Sequence, residues 1–321
     1  MDETAFIDTA VGRLKVTTLG TGAPALLWHS LFVDERSWLR VSAELAKDRR
    51  LILITAPGHG ESNDSHRRYD LRQCARAAEE VLDALGVAEP VDWVGNAWGG
   101  HVGIRFAAAS PHRIRSLITI GTPVQALSTA ERARTWFLII AHRLLGPAGF
   151  IVDAVIETLL SPATRPSDPE AVALVRRSIA EADPPQLRNA IVSISLHRDD
   201  LAALLPGIAV PTLMVTGAQH SGWTSAQAAA AITAMPDARA AVVEDAAYLV
   251  PLEQPDALVR LVRDFWASAL TEVPIDQRCN DEPKSHGGTR GSPPYVARDI
   301  VVEVMAGALP FPEAPEEEIV A

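Results

Sequence analysis

Residues 92–103, DWVGNAWGGHVG, constrain this chain more than any other stretch. A short apolar run ends in Gly95-Asn96-Ala97-Trp98-Gly99-Gly100 and leads into a helical pattern. That order describes an elbow, a tight strand-to-helix turn that lifts one side chain clear of a sheet. Glycines on both sides let backbone segments crowd together without Cβ clashes. In a chain that used the elbow for covalent catalysis, the lifted side chain would be Ser, Cys or Asp. Here it is Ala97, which offers neither a proton nor a lone pair.

The elbow sits in an alternating pattern. Residues 6–9 and 14–19 read as an opening hairpin, and 25–28, 51–54, 91–94 and 114–120 as buried strands. Helical spacing covers 37–46, with Ser37 as N-cap, then 71–85 and 99–109. Continuous apolar strands separated by helices predict an α/β fold, a mostly parallel sheet covered on both faces. From 128 to 205 only helical periodicity is found, at 129–145, 150–160, 169–182 and 185–197. Strands resume at 212–216 and 240–243, with helices at 224–235 and 251–270. The predicted organisation is a core of 1–125 and 207–271 with a helical cap, 126–206, over the strand C-termini, where open α/β sheets bind ligands.

Residues 272–321 differ in character. They hold seven prolines, ten acidic and four basic residues, and the run Ser285-His-Gly-Gly-Thr-Arg-Gly-Ser-Pro-Pro. This segment reads as a poorly ordered acidic tail. The whole chain of 321 residues carries a net charge of -11 with scattered arginines, so no nucleic-acid partner is expected. The longest apolar stretch, 136–145, is broken by His142 and Arg143 and is too short to span a bilayer, so no membrane partner is expected either. The N-terminus shows no apolar signal segment, and Cys74 and Cys279 lie far apart without metal spacing. A cytoplasmic setting, no cofactor and no metal, and a small-molecule ligand are expected, with homodimerisation left open.

The order of His29-Ser30 after a strand, Pro57-Gly-His-Gly-Glu-Ser62, Val94-Gly-Asn-Ala-Trp-Gly-Gly100, Pro211-Thr-Leu-Met-Val-Thr-Gly217 and Leu249-Val-Pro-Leu-Glu-Gln-Pro255 resembles the α/β-hydrolase superfamily. More narrowly it is similar to its capped esterase, lactonase and epoxide-hydrolase group, from about residue 6 to 270. The resemblance implies three catalytic positions. The nucleophile position is Ala97, the acid position His220 and the base position Tyr248, and none holds the expected residue. No Asp or Glu lies between Val210 and Met235 to take the acid role. Serine needs an imidazole to take its proton, and the imidazole needs a carboxylate, so acyl-enzyme chemistry by this triad is ruled out. An engineered Ser-to-Ala change would explain Ala97 alone and would leave His220 and Tyr248 unexplained.

The resemblance also implies an oxyanion hole built from backbone N–H groups, here those of Leu31 and Trp98, which side-chain changes do not delete. His220 is read either as an acid or base at a strand end or as a loop histidine packed on Trp223. Tyr248 is read as a hydrogen-bond donor to a ligand or as a filler for the missing base. His29 is expected to brace the oxyanion loop, and with Ser30, Asn96 and Trp223 to border the ligand. His101 is expected beneath the elbow, Asp34 and Glu35 in a solvated loop, and Asp199 and Asp200 as helix caps. Besides a serine hydrolase inactivated by an engineered Ser-to-Ala change, which ranks last, two functions follow. One is an enzyme acting on a small apolar carbonyl, lactone or epoxide-like substrate without an acyl-enzyme. The other is a ligand-binding pseudo-hydrolase.

Overall fold

The computed structural model describes residues 3–271 and turns each apolar run into a strand of one sheet. In chain order these are β1 (Glu3–Thr9), β2 (Gly12–Leu19), β3 (Pro24–Trp28), β4 (Arg50–Ile54), β5 (Val91–Asn96), β6 (Ile114–Ile120), β7 (Thr212–Gly217) and β8 (Ala238–Val243). Their spatial order is β1-β2-β4-β3-β5-β6-β7-β8. The first two form the expected antiparallel hairpin, and β2 also runs antiparallel to β4. The other pairings are parallel. Every residue of β3, β5 and β7 is buried, as strands covered on both faces must be. The predicted acidic tail, 272–321, lies outside the described residues.

The helices are α1 (Leu39–Leu45), α2 (Leu71–Ala84), α3 (Trp98–Ala109), α4 (Thr129–Leu145), α5 (Gly149–Leu159), α6 (Thr164–Ser167), α7 (Pro169–Glu181), α8 (Pro184–Ala190), α9 (Ser225–Ile232), α10 (Val250–Glu253) and α11 (Pro255–Thr271). Strand side chains alternate between two apolar clusters, as a period of two requires. Leu26, Trp28 and Trp93 pack with α2, α3 and α9, whereas Ala25, Leu27 and Val94 pack with α1 and α11. No helix among the described residues is long and apolar enough to cross a membrane.

Local chemistry decides where helices start. Asp70 accepts from the Gln73 N–H, and the Gln73 side chain reaches back to the Asp70 N–H, a reciprocal cap that fixes the start of α2. At α1 the expected cap at Ser37 is not used. Asp34 instead caps a 3-10 turn at Glu35–Trp38, and the Ser37 hydroxyl donates to the Asp34 carbonyl at 2.8 Å. The 185–197 pattern, read as one helix, is α8 followed by a π-helical turn at Ile191–Leu196.

Helices α4 to α8 lie between β6 and β7 in the chain, and α4, α5, α7 and α8 share a third apolar cluster, which draws in Val33, Leu249 and Leu252. Two arginines tie α7 and its preceding loop to the sheet domain. Arg36 binds Asp34 at 2.6 Å and Glu181 at 2.7 Å. Arg40 pairs with Asp168 and donates to the Leu252 carbonyl at 2.7 Å. Asp34 is 1% exposed and also accepts from Ser178 Oγ at 3.1 Å, while Glu35 accepts from Thr55 Oγ1 at 2.6 Å and pairs with Lys15. The solvated-loop expectation for Asp34 and Glu35 is thereby overturned. Both carboxylates found cations within reach, which allows them to be buried. Burial acts to raise the Asp34 pKa, but the bound Arg36 outweighs it and the group is held below its ordinary value.

Candidate active site at the carboxyl end of the sheet

Strand register gathers the site. Trp28 pairs with Gly95, Gly95 with Thr119, Asn96 with Ile120, and Ile120 with Val215. The residues after these strands therefore emerge side by side: His29, Ala97, Gly121 and the loop from Ala218. This is where ligands enter open α/β sheets.

The elbow at position 97 is formed and strained. Ala97 has φ 46° and ψ -98°, a conformation L-residues seldom adopt, and its N–H donates to the Ile120 carbonyl at 2.7 Å. The flanking glycines are required by close approach. A Cβ on Gly95 would lie 2.2 Å from the Gly99 backbone, and one on Gly99 would lie 1.9 Å from the Trp28 carbonyl oxygen. The Gly99 N–H reaches the His29 carbonyl at 3.3 Å, closing the elbow against the loop after β3. Neither the Leu31 nor the Trp98 N–H has a hydrogen-bond acceptor among the described residues.

His29 braces that loop. Its Nδ1–H donates to the Ser30 carbonyl at 2.7 Å, and its Nε2 accepts from the Ala56 N–H at 2.8 Å. Burial lowers its pKa to about 4, so it is neutral. Ser30 is 1% exposed, and its carbonyl rather than its hydroxyl makes the local bond. His59 packs against His29 and Trp98, each at 5.4 Å between ring centroids, and burial lowers its pKa to about 3. His101 is buried beneath the elbow, as expected, with Nε2 on the Pro123 carbonyl at 2.8 Å.

Asn96 spans two strand ends. Its amide nitrogen donates to the Ile120 carbonyl at 3.1 Å and the Tyr248 carbonyl at 2.9 Å, while its Oδ1 is buried without a partner. The Tyr248 ring lies against His220, with centroids 3.6 Å apart and planes 32° apart. His220 thus packs on Tyr248, whereas Trp223 is buried in the core and its carbonyl accepts from Thr216 Oγ1 at 2.8 Å.

His220 Nδ1 accepts from the Gly222 N–H at 3.0 Å. A neutral imidazole bonded in this way carries its proton on Nε2, and that atom is buried beside the Gly121 backbone without a well-aligned hydrogen bond to any described residue. Burial lowers the His220 pKa to about 4, against a weaker pull upward from the Gly121 backbone. Burial raises the Tyr248 pKa, partly offset by the charge of Arg198.

Arg198 went unnoticed in the sequence. It is half-buried, Nη2 donates to the Gln125 carbonyl at 2.6 Å, and Nε is buried without a partner. Burial lowers its pKa, opposed by Tyr248, Glu131 and Asp200. A lone Arg among scattered arginines gives no sequence signal. Of the two expected caps, Asp200 accepts from the Ala202 N–H at 2.8 Å, and Asp199 instead pairs with Arg105 at 2.6 Å. Among the described residues no cluster of His, Cys, Asp and Glu is placed to hold a metal.

A family model described as the alpha/beta hydrolase family matches residues 25–261. The chain is 26% identical over 234 residues to the dihydrolipoyllysine-residue acetyltransferase component of an acetoin cleaving system from Pseudomonas putida, covering 72% of this chain but only 60% of that protein. It is 26% identical over 269 residues to a 2-hydroxymuconate semialdehyde hydrolase from Pseudomonas putida, covering 80% of this chain and 92% of that one. A thermophilic esterase structure from Thermogutta terrifontis superposes with a TM-score of 0.77 at 26% identity, covering 83% of this chain and 99% of the esterase. Fold, elbow and family match agree: the chain belongs to the α/β-hydrolase family.

Proposed function

We propose that this chain binds a small carbonyl compound beneath α4 to α8, which serve as a cap, and that it forms no acyl-enzyme. One observation carries the reading. The strained elbow and the unpaired Leu31 and Trp98 N–H groups are kept, while position 97 carries Ala. Two backbone donors at such a turn polarise a carbonyl oxygen without help from a side chain. The half-buried Leu31, Phe32 and Tyr248, which border the third apolar cluster, supply apolar contact. The unpartnered Nε of Arg198 suits a ligand that also carries a carboxylate. The similarity to a hydrolase named for 2-hydroxymuconate semialdehyde, itself a carbonyl compound, supports the same ligand class.

Hydrolysis needs a base, and neither His220 nor Tyr248 offers one at neutral pH. The one lone pair of His220 is held by the Gly222 N–H, and burial keeps Tyr248 protonated. Calorimetry and thermal shift with a series of ketones, lactones and oxo acids test the reading, alongside product assays. Saturable stabilisation without product is expected, weakened by Arg198→Ala for the acids alone. A nitrophenyl ester that gave a stoichiometric burst would overturn it. A second reading, non-covalent carbonyl chemistry, rests on the buried, unpartnered His220 Nε2–H as a donor. If product does form, it should vanish in His220→Ala, and activity unchanged in that variant would sink the role.

A further inference from the structure

We propose that the outer face of α4 docks on the surface of an anionic lipid bilayer. This helix is turned inside out for a water-soluble protein. Its buried positions are Ile139, Ala141 and His142, while Trp136, Phe137, Ile140, Leu144 and Leu145 are 45% to 75% exposed. Positions i, i+1, i+4 and i+8 share one side of a helix, so Trp136, Phe137, Ile140 and Leu144 form a single stripe. Phe150, 59% exposed, extends it onto α5. Other large apolar side chains in the helical insertion turn inward, including Val152, Val155 and Ile156 of α5. A contiguous apolar patch of this kind marks an interaction surface.

Charge identifies the occupant. Arg132, Arg134 and Arg143 are exposed on the same helix and form no salt bridge with a described residue, although the chain as a whole carries a net charge of -11. By helical spacing Arg132 and Arg143 lie on one flank of the stripe and Arg134 on the other. The single acid of α4, Glu131, is engaged in the reciprocal cap with Ser128. The nearby acids of α5, Asp153 and Glu157, are already paired with Arg176 and Arg165. An aromatic and aliphatic stripe flanked by arginines fits the headgroup boundary of an anionic membrane. This goes against the sequence expectation of no membrane partner, which rested on the absence of a spanning segment.

Trp136 is the one exposed tryptophan of the seven, the others being at most 2% exposed, so it reports on the face directly. The full chain is mixed with vesicles of phosphatidylcholine alone or with one-third phosphatidylglycerol. Three arginines should favour the anionic vesicles by about 100-fold, and raised salt should erase most of that preference. Trp136 emission should shift to the blue and be quenched by brominated lipid. Phe137→Glu/Leu144→Glu should lose at least about tenfold in binding with Tm unchanged. Should that double variant misfold, Arg132→Ser/Arg143→Ser gives an independent reading: it must lose the anionic preference. Equal affinity for both vesicles, no co-sedimentation, or a concentration-dependent dimer that Phe137→Glu/Leu144→Glu dissolves without any vesicle binding would each overturn the proposal.

Discussion

The two ends of β5 are built in opposite ways. At its start Asp92, 2% exposed, accepts from Arg49 Nε at 2.7 Å, Arg115 Nε at 3.0 Å and Nη2 at 2.7 Å, and Ser116 Oγ at 2.7 Å. Arg49 in turn lies over the Trp266 ring of α11 at 4.6 Å. Both carboxylate oxygens are satisfied, and the network ties β5 to β6 and to a helix. At the other end Asn96 Oδ1, His220 Nε2, His59 Nε2 and His101 Nδ1 are all buried without partners among the described residues. The Leu31 and Trp98 N–H groups likewise find no acceptor among the described residues. A buried polar group left unsatisfied costs about 1–3 kcal/mol. One end of the strand has its buried polar groups paired, and the other leaves several of them unpaired among the described residues.

Acid should separate the two ends most strongly. Burial, first among the causes, lowers the pKa of His29 and His220 to about 4, of His59 to about 3, and of His101 well below the ordinary value. The folded chain therefore resists protonation while the unfolded chain takes protons up from about pH 6.5 downward. Their stabilisation is complete above about pH 6.5 and is lost as pH falls toward 4, by up to about 1.4 kcal/mol per pH unit for each histidine. Tm should drop steadily between pH 7 and 5, and amide exchange should loosen residues 96–101 before residues 91–93. Uniform loosening would break the contrast. Next in size, Asp92→Ala leaves Arg49 and Arg115 without their partner and should cost about 3–5 kcal/mol in urea unfolding. A loss below about 1 kcal/mol would show that the network is dispensable. Smallest, Asn96→Ala removes two hydrogen bonds but also an unpartnered oxygen, and should cost only about 1 kcal/mol. Its larger effect should be weaker ligand binding, since Asn96 holds the Tyr248 loop against the elbow.

The sequence made the elbow legible because Gly95 and Gly99 mark backbone approaches that no side chain survives. The helical insertion was legible as a switch from apolar strand runs to helical spacing. Periodicity could not say which side of α4 faces out, so the sequence showed the stretch 136–145 only as too short to span a bilayer. Asp34 and Glu35 read as solvated loop charges, and Asp92 gave no signal, because their cations lie elsewhere in the chain or fold back locally. Arg198 acquires meaning only through burial beside Tyr248. The His220–Tyr248 contact joins loops 28 residues apart, and the sequence supplied both residues without their stacking.

The most direct test compares pre-steady-state kinetics of a nitrophenyl ester in three proteins: the chain as it stands, Ala97→Ser, and Ala97→Ser/His220→Asp/Tyr248→His. Under the proposed function, the backbone half of a hydrolase site is kept here and its side-chain half is absent. No burst is therefore expected from the first two, because a serine at 97 would find no base, and an acyl burst is expected from the third alone. A burst with turnover in Ala97→Ser by itself would contradict that view and show an intact hydrolase site lacking only its nucleophile.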